Sequence, residues 1–474
     1  MPPGSVRQPI VAIATVTCAT LLAAGGFALT GGQRADAANP ATGTTTQVAT
    51  VPTGSTTQRA ELPLPQGIGR RSDVPPPPAP PSTALNALQH KLRADISSGP
   101  GSSSGLVVDM TTNRTLWAYN DNTPRLPASV EKLWTTTTAL LELGPKATFQ
   151  TRVYGNGRLT SAGTLIGTLY LRGGGDPTFG STTFDQEMYG TGATVQKLAA
   201  DIRALGITRI QGRIVGDDSY FDSLRGTPAT GYRANLAVEG ELSALSYDAG
   251  FTNLQEDQLQ ANPPLFAAQA FAAALRADGV RVAPSTSIGT GRTPPTATQL
   301  ASESSPNLAQ LMALTNSPSD NFFAETLLKD IGAQLGGGGS TARGAAVVRR
   351  FIGATFGLHP RLDDGSGLSR YDRTSARQIV LLLREMRDQP AFFDSLAIAG
   401  VRGTWRYQMV GTPAVNNCRG KDGTLHDVAN LVGYCRAANG HQLVFAFFMN
   451  GLSNPAAGHQ REDRAGAALA EYRG

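Results

Sequence analysis

The sequence predicts an α+β fold that carries a large, mostly β insertion. Two observations predict it. Residues 84–145 and 301–474 combine helical periodicity with apolar runs that read as neighbouring strands. Between them, at about 146–300, the texture changes to short β-like stretches divided by Gly, Asp and Thr turns. The 474 residues, 40% of them hydrophobic, suffice for a large core and for two to three domains.

Two segments precede that body. Residues 1–37 read as an export signal: Met1 to Pro9 carries one Arg, Ile10 to Thr30 is uncharged and apolar or small, and Ala35-Asp36-Ala37 has a small-x-small form. Cleavage after Ala37 is one expectation. An uncleaved membrane anchor is the other, since an apolar run of about 20 residues can span a bilayer. Residues 38–83 hold Thr44-Thr45-Thr46, Thr56-Thr57 and the proline run from Pro75, with almost nothing apolar to bury. They read as a disordered Pro/Thr-rich linker, either a semi-rigid spacer or a tail without function. Both expectations place the body outside the cytoplasm, secreted, wall-associated or membrane-anchored.

Composition excludes several classes. There are 41 basic and 36 acidic residues, a net charge of +5, and no long basic block, so nucleic acid is not an expected partner. Three cysteines exclude a disulfide-dense scaffold and a cysteine zinc site. The five histidines (His90, His359, His426, His441, His459) lack metal-ligand spacing. No cofactor and no metal are expected.

Along the body, Leu85, Leu88, Leu92 and Ile96 mark one face of a helix stopped at Gly99-Pro100-Gly101. Gly105–Asp109 and Thr115–Tyr119 read as strands around a Thr112-Asn113 turn. Gly101-Ser102-Ser103-Ser104-Gly105 matches a nucleophile elbow only in letters, because that elbow lies between a strand and a helix, and here a helix precedes and a strand follows. Leu126 to Leu143 reads as a helix framed by Pro127 and Gly144-Pro145. Ser129 and Lys132 lie one turn apart on it. A serine becomes nucleophilic beside a base, and a lysine serves as one when burial near a positive helix N-terminus lowers its pKa. Taken alone, the same letters fit a capping serine and a solvated lysine.

In the insertion, Thr164–Leu171 and Arg209–Val215 read as strands and Pro263–Gly279 as a helix. Gly173-Gly174-Gly175-Asp176-Pro177 and Gly216-Asp217-Asp218-Ser219-Tyr220-Phe221-Asp222 read as tight polar loops; the second lacks calcium-loop spacing. Beyond it, a helix at Asn307–Leu314 leads to Ser319-Asp320-Asn321, on a short connection before another helix. A Ser hydroxyl and an Asn amide two residues apart can share one cleft, one relaying a proton and one holding a carbonyl; helix capping is the simpler role for these letters. Gly336–Gly339 reads as a joint before a helix at Arg343–Phe351, and Thr374–Asp388 as a further helix. Lys421-Asp422-Gly423-Thr424 precedes strand-like runs at Leu431–Tyr434 and Leu443–Met449. There a fixed cation beside a glycine lets a substrate backbone approach, and Thr424 adds a hydroxyl and an N–H. Cys418 and Cys435 flank a turn centred between His426 and Asp427 and are placed to face each other across antiparallel strands, as a disulfide or as two buried thiols.

The motifs SxxK, SDN and KxG, in this order, are the signature set of penicillin-binding proteins and class A β-lactamases. The chain resembles the D-alanyl-D-alanine carboxypeptidase/endopeptidase group of low-molecular-mass class C penicillin-binding proteins. Pro127-Ala128-Ser129-Val130-Glu131-Lys132, Gly173–Pro177, Gly216–Asp222, Ser243-Ala244-Leu245-Ser246-Tyr247, Asp364-Gly365-Ser366-Gly367-Leu368-Ser369 and Gly423-Thr424-Leu425 carry the resemblance over most of residues 84–460. It implies a transpeptidase/β-lactamase-like domain, an antiparallel sheet covered by helices, with the insertion between the first two motifs. It also implies roles. Ser129 attacks the carbonyl between two D-alanines, Lys132 takes its proton, Ser319 relays a proton with Lys421, and Asn321 holds the peptide. The N–H groups of Ser129 and Thr424 form the oxyanion hole. The implied partners are peptidoglycan stem peptides and β-lactam antibiotics.

Asp422 departs from the Lys-Thr-Gly usual in that group. Facing the cleft, it would repel a substrate carboxylate by about 4 kcal/mol at close range. Three outcomes follow: Asp422 turns away or pairs with Lys421 or Arg419; the substrate is an internal cross-link; or the site is impaired and the protein only binds the wall.

Overall fold

The computed structural model describes residues 75–99 and 101–474. The expected signal or anchor at 1–37 and residues 38–74 of the expected linker lie outside the described residues; residues 75–83, expected as part of the disordered linker, are instead ordered, the Ala79 N–H donating to the Thr115 carbonyl and the Thr115 N–H to the Pro77 carbonyl, both at 2.9 Å.

In chain order, the first part holds α1 (Thr83–Leu92), β1 (Ser102–Asp109), β2 (Arg114–Tyr119), a 3-10 turn (Ala128–Glu131) and α2 (Lys132–Leu143). Next come β3 (Gln150–Leu159), β4 (Thr164–Arg172), α3 (Thr182–Met188), α4 (Val195–Ala204), β5 (Arg209–Asp217), α5 (Pro263–Ala277), β6 (Arg281–Val282), β7 (Ser287–Thr290) and β8 (Thr298–Ser304). The last part holds α6 (Leu308–Asn316), α7 (Asn321–Leu335), α8 (Thr341–Phe356), α9 (Ala376–Met386) and α10 (Pro390–Ser395). It closes with β9 (Ala397–Ile398), β10 (Cys418–Leu425), β11 (Val428–Arg436), β12 (Gln442–Asn450) and α11 (Pro455–Glu471).

The first and last parts share one antiparallel sheet, ordered β2-β1-β12-β11-β10-β9. Side chains alternate across it. Along β12, Val444, Ala446 and Phe448 join a core with Trp134 of α2, Phe322 of α7 and Leu383 of α9. Leu443, Phe445 and Phe447 join a second core with Leu92 of α1 and Leu469 of α11. Helices cover both faces, so the strand is apolar throughout instead of alternating with polar residues.

The insertion has its own mixed sheet, ordered β6-β5-β4-β3-β8, with β7 also paired to β5. β3 pairs antiparallel with β4 and β8, whereas β4 and β5 run parallel. A parallel pair needs a crossover, which here contains α3 and α4. The third core forms where α4 and α5 cover this sheet, through Leu198, Ile202, Phe271 and Leu275 against Leu169, Leu171, Ile210 and Ile214. Reading texture alone passed over α3 and α4, although Val195, Leu198, Ala199 and Ile202 repeat at helical spacing.

Candidate active site

Ser129 does not lie on an α-helix. It lies in the 3-10 turn Ala128–Glu131, and Lys132 opens α2. The reason is local. Ala128 takes a φ of 47°, which interrupts the helix expected from Leu126. The change improves the geometry, because side chains at i and i+3 eclipse in 3-10 helix. Lys132 Nζ donates to Ser129 Oγ at 2.9 Å, to Asn321 Oδ1 at 2.6 Å and to the Ser366 carbonyl at 2.9 Å. Lys132 is fully buried. Burial first, then repulsion from the Lys421 ammonium, lowers its pKa to about 8.

Two glycines show how tightly this turn is enclosed. A Cβ on Gly423 of β10 would fall 2.4 Å from the Pro127 carbonyl oxygen, so only glycine lets the strand press against the serine turn. Gly367, at φ +86°, passes so close to the Ala128 carbonyl that no side chain fits. Asn430 of β11 donates to the carbonyls of Leu126 and Pro127, both at 2.9 Å, and fixes the approach.

The second motif stands at the start of α7. Asp320 is the helix cap, its carboxylate accepting the Phe323 N–H at 2.8 Å. Ser319 adopts φ +71°, a conformation uncommon for a non-glycine residue and frequent at functional sites. Its half-buried hydroxyl makes no hydrogen bond to another described residue. Asn321 is held by the insertion: its backbone N–H donates to Glu239 Oε2 at 2.7 Å and its side-chain amide to the Ala237 carbonyl at 2.9 Å. That leaves the Asn321 oxygen for Lys132. Glu239, itself at φ +61°, and Ala237 were not legible from sequence, since neither belongs to a motif.

In the third motif, Lys421 is fully buried and donates to the Asp422 carbonyl at 2.9 Å and to its carboxylate at 3.0 Å. Thr404 donates to the same carboxylate at 2.5 Å. Burial pushes the Asp422 carboxyl up, but Lys421 and Thr404 outweigh it and hold the group below its ordinary value. β9 pairs with β10 at Arg419 and Gly420, so Lys421 and the residues after it form a free edge. Thr424 is exposed on that edge. Cys418 and Cys435 are register partners joined by a disulfide at the far end of the β10–β11 hairpin. Arg370 makes a two-point ion pair with Asp427 at 2.5 and 2.9 Å, tying the loop that follows Gly367 to the hairpin turn.

Four carboxyls, Glu131, Glu325, Asp364 and Asp372, lie buried behind the serine turn, and sequence reading missed them as a group. Glu325 accepts the N–H groups of Gly365 and Ser366 at 2.9 and 2.8 Å. Asp364 accepts those of Gly367 and Ser369, both at 2.8 Å. Burial and mutual repulsion push Glu325 up to about 8 and Asp372 up to about 12. Asp372 thus keeps its proton. The group shapes the Ser366 carbonyl that Lys132 uses.

An antiparallel sheet between helical layers, with a serine–lysine pair beside its strand β10, defines a serine peptidase of the penicillin-binding class. The chain matches the D-Ala-D-Ala carboxypeptidase 3 (S13) family over residues 88–233 and 234–472. It is 28% identical over 460 residues to a D-alanyl-D-alanine carboxypeptidase of Actinomadura sp., covering 79% of this chain and 82% of that protein. It is 30% identical over 371 residues to a carboxypeptidase of Mycobacterium tuberculosis, covering 74% and 76%. The crystal structure of penicillin binding protein 4 from Haemophilus influenzae superposes with a TM-score of 0.66 at 21% identity, over 80% of this chain and 98% of that one. The chain belongs to the S13 family of serine-type carboxypeptidases and has the α+β fold of penicillin binding protein 4.

Proposed function

We propose that this chain is an exported serine D,D-peptidase of peptidoglycan stem peptides. It would cleave the terminal D-Ala-D-Ala bond as a carboxypeptidase, or the D-Ala cross-link as an endopeptidase. The observation that carries the reading is the Lys132 ammonium bridging Ser129 Oγ and Asn321 Oδ1.

In the mechanism, Lys132 loses a proton to solvent and its free amine takes the proton of Ser129. Oγ attacks the D-alanine carbonyl, whose oxygen is held by the N–H groups of Ser129 and Thr424. Ser319 relays that proton from Lys132 to the departing nitrogen with help from Lys421. The carbon–nitrogen bond breaks and an acyl-enzyme remains. Water then adds as its proton goes to Lys132; the bond between the acyl carbon and Oγ breaks, and Lys132 returns the proton to Ser129. Asn321 orients the peptide. A β-lactam acylates Ser129 by the same steps with no departing group to lose.

Export through residues 1–37, tethering through 38–74, and an insertion at 146–300 complete the proposal; a substrate outside the cytoplasm supports the first two. The alternative, a catalytically impaired wall-binding protein, rests on Asp422. Pairing of Asp422 with Lys421 and Thr404 weakens its premise. The test is intact-mass analysis with peptide mapping after incubation with benzylpenicillin. One adduct on Ser129, absent in Ser129→Ala, is expected. A folded protein without adduct would favour the wall-binding alternative.

A further inference from the structure

Thr424 stands open at the edge of the site but is not isolated. Its Oγ lies 3.4 Å from Nε2 of His459, in the second turn of α11. Nδ1 of the same ring lies 2.8 Å from Oε2 of Glu462, whose side chain is fully buried. The three residues form a line from the open edge of β10 to the interior beneath α11.

The chemistry of that line depends on one proton. Burial raises the Glu462 carboxyl above its ordinary value and the hydrogen bond to the ring opposes that rise; ionised, the carboxylate only accepts, so Nδ1 carries a hydrogen toward it and Nε2 is the atom that gains or loses one. With the ring neutral, Nε2 accepts and the Thr424 hydroxyl donates to it, leaving only oxygen lone pairs for the groove. With the ring charged, Nε2–H donates to Thr424 Oγ. The hydroxyl hydrogen is then free to turn outward, beside a positive charge. Among the described residues, the cations of the motifs and of the neighbouring loop have partners of their own: Lys132 with Ser129 and Asn321, Lys421 with Asp422, and Arg370 with Asp427.

We propose that His459 is the specificity residue for the leaving end of the substrate: charged, it acts through Thr424 to select a free terminal carboxylate, and neutral, it does not. The proposal rests on the D,D-peptidase reading. The charged groups that act on the ring are Glu462 and Asp463 from its own helix and Asp422 from β10. All are acidic. The Glu462 hydrogen bond, followed by burial acting in opposition and then the acidic charges, leaves the imidazole pKa above its ordinary value. The charged form therefore persists to higher pH than in an unpaired histidine.

The test compares acylation of Ser129 in the full chain by benzylpenicillin and by its methyl ester, from about pH 5 to about pH 9. The ratio of the two rates cancels the ionisation of Lys132, which affects both ligands alike. The acid-to-ester ratio is expected to be about tenfold higher at the acidic end, the size of one charge-assisted hydrogen bond, with a single-proton midpoint above that of free histidine. In His459→Gln the ratio should lose its pH dependence and stay at the alkaline value. In Glu462→Gln the midpoint should move to lower pH, a shift that mere loosening of α11 does not produce. A ratio flat with pH in the wild type, or still pH-dependent in His459→Gln, overturns the role of His459 and leaves the peptidase reading standing. No adduct with either ligand overturns that reading and this role with it.

Discussion

The carboxylate of Asp422 lies 3.0 Å from the ammonium of Lys421, the residue before it in the chain. Both groups are buried, and the Thr404 hydroxyl completes the pair. The departure from Lys-Thr-Gly thus creates an internal ion pair in place of an exposed negative charge.

Asp422→Ala should be costly, because it leaves the Lys421 ammonium buried without its partner. We expect a loss of about 3 kcal/mol in unfolding free energy, measured by urea denaturation. A loss below about 1 kcal/mol would show that solvent already reaches the pair.

Acylation of Ser129 should rise with pH and level off above about 8, where burial and Lys421 place the Lys132 ionisation. Lys132→Arg should lower the acylation rate at least about a hundredfold, since a guanidinium does not give up its proton. Stopped-flow measurement with a chromogenic β-lactam reads both. A rate independent of pH from 6 to 9 would remove Lys132 from the role of base.

Glu239→Ala should slow acylation by about tenfold, the effect of one lost hydrogen bond to a charged acceptor. Its carboxylate accepts the Asn321 N–H, so the loss acts on the residue that shares Lys132 with the nucleophile. Unchanged kinetics in a folded variant would separate the insertion from the chemistry.

Glu325→Gln should make stability less sensitive to pH. In the folded protein Glu325 keeps its proton up to about pH 8, whereas in the unfolded chain it releases it near the ordinary value of 4.5. Between these limits the folded state binds more protons, so wild-type stability falls as pH rises. Removing the group should flatten that fall by about 1.4 kcal/mol per pH unit, and Gln keeps an acceptor for the N–H groups of Gly365 and Ser366. Urea titrations across the window check it; parallel curves for the two proteins would place the proton elsewhere.

What was legible in the sequence follows a physical divide. Ser129, Lys132, Ser319, Asn321 and Lys421 stood out as candidates because three motifs follow one another in the order that the resemblance to a known family supplies; taken singly, each motif fitted a helix cap or a solvated side chain. The cross-strand placement of Cys418 and Cys435 came from the regularity of antiparallel strands about a turn. Glu239, Ala237, Thr404 and His459 could not be found, because each reaches the site through a tertiary contact between segments 18 to 84 residues apart. The helix expected from Leu126 broke at Ala128, where enclosure by Gly367 and Gly423 overrides local propensity. Asp422 was visible as an anomaly, but its partners were not.

The grip of Ala237 and Glu239 on Asn321 also limits how this enzyme can be dissected. A shortened chain lacking residues 146–300 would keep Ser129, Lys132, Ser319, Asn321 and Lys421, and by motif it would look intact. It would lack the acceptors that turn the Asn321 amide toward the lysine. The insertion therefore holds Asn321 in place, and attempts at a minimal version should retain the strand-free stretch around residue 238.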